Sequence, residues 1–130
     1  MARTRRSAKT AGTRFERQTA DYLARALGDD RIDRRARTGA KDRGDITGVA
    51  HMGQRIVIEC KNTTRTDLAQ WWREAQTERD NDDAGVALVV HKRHGRADPG
   101  DQWVTLTLRE LAALLTATPS RQLTDPDHDE

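Results

Sequence analysis

The segment Gly85-Val86-Ala87-Leu88-Val89-Val90-His91 limits what this chain can fold into more than any other. Val86 to Val90 is the longest aliphatic run in a sequence that is 34% charged and 35% hydrophobic. Such a run is far too short to span a bilayer, but it suits a strand buried on both faces. Layers must therefore pack above and below it. Amphipathic segments are available. Thr13 to Leu27 sets Phe15, Tyr22, Leu23, Ala26 and Leu27 along one helical face, with Thr13 and Glu16 as a capping box. Thr66 to Arg79 carries Leu68, Trp71, Trp72 and Ala75 at i, i+3, i+4 and i+7. Thr107 caps a third helix through Glu110, followed by Leu111, Leu114 and Leu115. Strands are expected at 32–37, 45–50, 54–61, 85–91 and, as an edge, 102–106. The predicted fold class is α/β, a mixed central β-sheet flanked by helices in the order α-β-β-β-α-β, then β-α.

At 130 residues the chain is one domain. Residues 1–11 are basic without apolar periodicity and read as a flexible arm. Residues 12–117 form the folded domain, and 118–130 an acidic, disordered tail. Residues 1–43 hold 13 Lys/Arg against 6 Asp/Glu, whereas 44–130 hold 10 against 15. A basic first third suits a polyanionic partner, although a solvated basic face would look the same. Cys60 is the only cysteine, so an intrachain disulfide and a zinc site needing two thiolates are excluded. No apolar stretch follows the basic start. A cytoplasmic protein without membrane contact is expected.

Side chains alternate along Gln54 to Lys61. Ile56, Ile58 and Cys60 point one way, and Val57, Glu59 and Lys61 the other. A three-residue turn at His51-Met52-Gly53 would pair Ala50 with Gln54 and set Asp45 opposite Glu59 on one face. A two-residue Met52-Gly53 turn would shift the register by one and separate them. Facing carboxylates repel unless a cation lies between them, and such a pair suits magnesium. Glu16 shares its helical face with Ala20, Leu23 and Leu27, so it points inward. Each residue also has a plain reading, Glu59–Lys61 as a strand-end ion pair and Glu16 as a capping glutamate.

Gly44-Asp45, a hairpin and Ile58-Glu59-Cys60-Lys61 together resemble the split Asp…Glu-x-Lys motif of the PD-(D/E)xK nuclease superfamily. Glycine stands where that motif has proline. The preceding Gly12-Thr13-Arg14-Phe15-Glu16 helix and the Arg-rich segment before Gly44 are similar to archaeal-type Holliday junction resolvases and their phage relatives. The resemblance covers roughly Gly12 to His91. It implies a restriction-endonuclease-like core and catalysis by Glu16, Asp45, Glu59 and Lys61. Asp45, Glu59, the Cys60 carbonyl and Glu16 would hold Mg2+, with Mn2+ as a substitute. It also implies a homodimer hydrolysing phosphodiesters in four-way junctions. The alternatives are a restriction- or repair-type nuclease and a DNA-binding module with structural carboxylates.

DNA contacts are expected from Arg14, Arg34, Arg35, Arg37, Lys41 and Arg43, with Thr38 near the scissile phosphate. Lys92 and Arg93 form a second patch after the buried strand. His91 and His94 read as part of this phosphate-contacting loop in preference to a zinc pair. Of the adjacent Trp71 and Trp72, which point about 100° apart, at most one heads straight into the core.

Overall fold

The computed structural model describes residues 3–36 and 43–123. Helix α1 spans Arg5–Leu27, capped by Thr4, whose side chain accepts from the Ser7 amide, and closed by Gly28 at φ 60°. It starts about two turns before Thr13. Apolar periodicity marks only the part of a helix that packs. Residues 5–10 are exposed, and nothing between Arg5 and Ala11 breaks a helix. Arg3 ties the start down, donating to the Asn62 carbonyl at 2.6 Å and to Asn62 Oδ1 at 3.2 Å. The expected flexible arm is therefore helical from Arg5. Glu16 lies inside α1 and not in its first turn, so Thr13–Glu16 is no capping box.

The strands are β1 (Asp33–Arg34), β2 (Ile46–Thr47), β3 (Ala50–His51), β4 (Gln54–Lys61), β5 (Val86–His91) and β6 (Trp103–Thr105). They run in the order β1-β2-β4-β5-β6, with β3 also paired to β4. β4 and β5 are parallel, and the other pairs are antiparallel. Helix α2 (Leu68–Asn81), capped by Asp67, makes the crossover that a parallel pair requires. The molecule is thus an α/β fold with a mixed sheet, as the sequence predicts. On one face Phe15 and Ala20 of α1 belong to a cluster with Ile46, Ile58, Cys60 and Val90. On the other, Trp71 and Ala75 of α2 cluster with Val57, Ala87 and Val89. β5 is buried on both faces, as its aliphatic run dictates. Trp71 fills the core, whereas Trp72 is half-buried beside it.

Helix α3 (Leu108–Thr116) follows its Thr107 cap. Its buried Glu110 accepts from Arg79 Nη1 at 3.1 Å and from the Ala87 amide at 2.9 Å. Arg79 Nη1 also donates to Ser120 Oγ at 3.0 Å, and the Ser120 amide donates to the Gly85 carbonyl at 2.8 Å. A 3-10 turn at Ser120–Gln122 is therefore locked to the sheet. The first part of the expected tail, through 123, belongs to the packed body, and 124–130 lie outside the described residues. Among the described residues no helix is long and apolar enough to cross a membrane.

The hairpin departs from its expected shape and still reaches the expected register. Met52 (φ 51°) and Gly53 (φ 79°) form a two-residue turn, pairing His51 with Gln54 and Ala50 with Arg55. That pairing alone would send Asp45 to the wrong side of the sheet. However, the Ile56 amide donates to the Val49 carbonyl, while Ile46 pairs with Ile58. Thr47 and Gly48 therefore oppose Val57 alone, forming a β-bulge that restores the register. Gly48 has φ 88°, and a Cβ there would lie 2.4 Å from the Arg31 carbonyl oxygen. Only glycine fits.

Candidate active site

Ile46 opposite Ile58 brings Asp45 across from Glu59. The Asp45 amide donates to the Ile58 carbonyl at 2.9 Å, and its Oδ2 accepts from the Cys60 amide at 2.8 Å. Two bonds to the β4 backbone, one from its amide and one to its carboxylate, thus fix Asp45. Gly44 precedes it at φ 96°, a conformation closed to proline, whose ring fixes φ near −65°. A Cβ on Gly44 would also lie 3.1 Å from Val57 Cγ1 and 3.3 Å from the Ile58 carbonyl oxygen. The absent proline of the motif has a conformational cause in this chain.

Glu59 is 4% exposed, and its Oε1 is buried without a hydrogen-bond partner among the described residues. Burial pushes its pKa up to about 8. Hydrogen bonding with Asp45 pulls it down, Glu78 pushes it up further, and the Lys61 charge opposes the rise. The carboxyl therefore holds a proton at neutral pH. Lys61 Nζ lies 2.6 Å from Glu74 Oε1 and 3.5 Å from Glu59 Oε2. Burial works against its charge, but the Glu74 hydrogen bond and the fields of Glu59, Glu74 and Asp45 outweigh it and raise its pKa. Lys61 is thus a fixed ammonium.

Asp45 faces Glu59 across β2 and β4, and the Lys61 ammonium stands 3.5 Å from Glu59 on the same face. Glu16 is carried by α1, which covers the opposite face of the sheet, and its Oε1 accepts from Arg34 Nε at 2.8 Å. Its field still reaches Cys60, whose buried thiol is raised first by desolvation and then by the Asp45, Glu16 and Glu59 charges. The Cys60 side chain packs in the α1-side core as expected. Among the described residues no three His, Cys, Asp or Glu side chains form a cluster that could hold a metal ion.

Two α2 residues beside the site, Glu74 and Glu78, were not foreseen. Glu78 is 2% exposed. A sequence signal exists, because Leu68, Trp71, Ala75 and Glu78 recur at i, i+3, i+7 and i+10, so an acid continues the core stripe. Gln70 is bonded to Glu74 and Arg73 on the exposed side of α2.

The expected DNA contacts divide. Arg14 is exposed on α1, and Arg34 is engaged by Glu16. Arg35 lies 3.6 Å from Asp82, and with the exposed Arg43 it lines a cavity of about 430 Å³. Arg37, Thr38 and Lys41 lie outside the described residues. The Lys92 amide donates to the Lys61 carbonyl at 3.0 Å, so the loop after β5 adjoins the end of β4. The Lys92 ammonium bonds to the Arg96 carbonyl, and the Arg93 guanidinium lies over the Trp103 ring. His91 is not part of that loop. It ends β5, buried and packed on Trp71, with Nε2 2.7 Å from Thr105 Oγ1 and its pKa lowered by burial. His94 Nε2 meets the Thr63 carbonyl at 3.2 Å instead.

Comparison with curated proteins and with solved structures returns no match. A family model described as "Phage putative PDDEXK endonuclease" matches residues 7–121, nearly the whole described body. With the Asp45, Glu59 and Lys61 arrangement already in place, this match assigns the chain to that family of nucleases.

Proposed function

We propose that this endonuclease is magnesium-dependent, with manganese as a substitute, and that it cleaves four-way DNA junctions as a homodimer. The observation that carries the cation is Glu59. A buried carboxyl opposite Asp45, with one oxygen unsatisfied, suits a hard cation that would take the place of its proton. Asp45, Glu59 and the Cys60 carbonyl would hold the ion, and Glu16, bonded to Arg34 on the α1 side of the sheet, would orient that shell from outside it. A divalent cation, when bound, supplies positive charge at the phosphate and makes a water more acidic.

The chain's own contribution follows from the fixed charges. Lys61, held as an ammonium chiefly by Glu74, offsets charge developing on the phosphate oxygens and orients the attacking water. Glu74 holds the lysine and leaves its ammonium partly open to a ligand. Cleavage would leave a 5′ phosphate and a 3′ hydroxyl. The junction preference rests on the likeness of the helix glutamate, basic segment and Asp…Glu-x-Lys order to resolvases. The dimer follows from the two-fold symmetry of the substrate, which needs two centres cutting in concert.

The test is to incubate labelled junction, fork, duplex and single strand with wild type and Glu59→Gln in magnesium or manganese, and map the cuts. Paired symmetric nicks in the junction are expected from wild type. Glu59→Gln should bind as before and cut at least a hundredfold more slowly. Preferential cutting of duplex or fork would replace the resolvase reading with a restriction- or repair-type one. A wild type that binds but cuts nothing would leave a DNA-binding module.

A further inference from the structure

The β6 edge of the sheet carries a residue for which hydrolysis has no use. Trp103 opens β6 with 49% of its surface exposed. Register pairs run from Lys61 to His91 across β4 and β5, and from His91 to Trp103 across β5 and β6. Residues paired in register share a face, so Trp103 stands on the Glu59–Lys61 face. It lies two strand spacings, or about 10 Å, from Lys61.

The Arg93 guanidinium sits 4.5 Å from the centroid of the Trp103 ring. The loop carrying it is braced. The Arg93 amide donates to Gln102 Oε1 at 2.7 Å, and Gln102 Nε2 donates to the Arg96 and Asp98 carbonyls. Lys92, Arg93 and Arg96 make this loop cationic, and the Lys92 amide fastens it to Lys61. An exposed indole on β6, covered on one side by a braced basic loop and two strands from Lys61, is suited to a ligand that is both flat and anionic.

We propose that Trp103, backed by Arg93, is a stacking platform for an unpaired nucleobase next to the cleaved phosphate. The proposal rests on the nuclease reading and names the substrate feature that this edge recognises. A base inside continuous duplex already has neighbours on both faces and offers nothing to the ring. A base at a fork, flap, junction opening or single strand has a free face. Stacking takes any base, so the platform selects strand state and not sequence. Arg93 polarises the ring through its charge and can neutralise a neighbouring phosphate.

The experiment measures binding without divalent ions, so that no probe is cut. A single strand, a fork with unpaired arms and a blunt duplex, equal in length and labelled alike, are titrated with wild type, Trp103→Ala and Trp103→Phe. Trp103→Ala should weaken single-strand and fork binding about tenfold and leave duplex binding within about twofold. Trp103→Phe, which keeps an aromatic face, should recover most of the loss. Equal loss on all three probes, or none on any, overturns the platform, as does a Phe variant as weak as the Ala variant. The nuclease reading fails separately, if wild type binds these probes and never cuts DNA with metal.

Discussion

Glu59 is the residue whose environment departs most from that of a free side chain. Its ordinary pKa is 4.5, and burial raises it to about 8. Between those values an unfolded chain has lost the proton and the folded chain keeps it, so the unfolded state binds fewer protons. Stability of the cation-free protein should therefore fall as pH rises through that window, by up to roughly 5 kcal/mol, and level off above it. Urea midpoints of chelated protein at pH 5 and pH 8 measure this. Glu59→Gln should flatten the slope and be the more stable protein at pH 8. A wild type and variant with parallel profiles would mean that Glu59 titrates normally. Strand alternation puts Glu59 and Lys61 on one face from sequence alone, whereas Asp45 joins them only through the motif resemblance and a three-residue turn that the structure replaces with two residues and a bulge. Glu78 and Trp103 were not read, because an acid on a core stripe and an exposed tryptophan gain meaning only once a neighbouring strand is in place.

Among the elements, the hairpin from Ile46 to Lys61 decides whether a site exists. The sequence predicts the register of Asp45 and Glu59 but not its origin in a two-residue turn corrected by a bulge. A glycine at position 48 does not announce a bulge, since it equally suits a turn or a close approach. The close approach is present as well, because the Arg31 carbonyl occupies the place of a side chain. Gly48→Ala should destabilise the fold by about 2–4 kcal/mol, through steric conflict and an unfavourable positive φ. A denaturation midpoint matching wild type would show that the Arg31–Gly48 contact yields easily. Helix α1 shows the opposite limit of sequence reading. Its packed portion was visible, but its first two turns touch little, and periodicity cannot report a helix held by a cap and one arginine.

Across the whole molecule, the α/β class followed from one aliphatic strand, because a strand covered on both faces needs two helical layers. Polar composition hides packing at the C-terminal boundary, which the sequence places at 117 and the structure carries to 123. Ser120 is 1% exposed and is tied to Arg79 and to the Gly85 carbonyl. A chain ending at 117 should melt several degrees below one ending at 123, because Arg79 loses Ser120 and the Arg79–Glu110 pair opens to water. Equal melting of the two would place these contacts outside the cooperative unit. The bulge and the tight turn also have a combined effect on how chain length can vary. They act as two half-steps of opposite sense, so the hairpin obeys a parity rule. One residue added or removed at the tip turns Asp45 away from its partner unless a second change of length at the bulge turns it back.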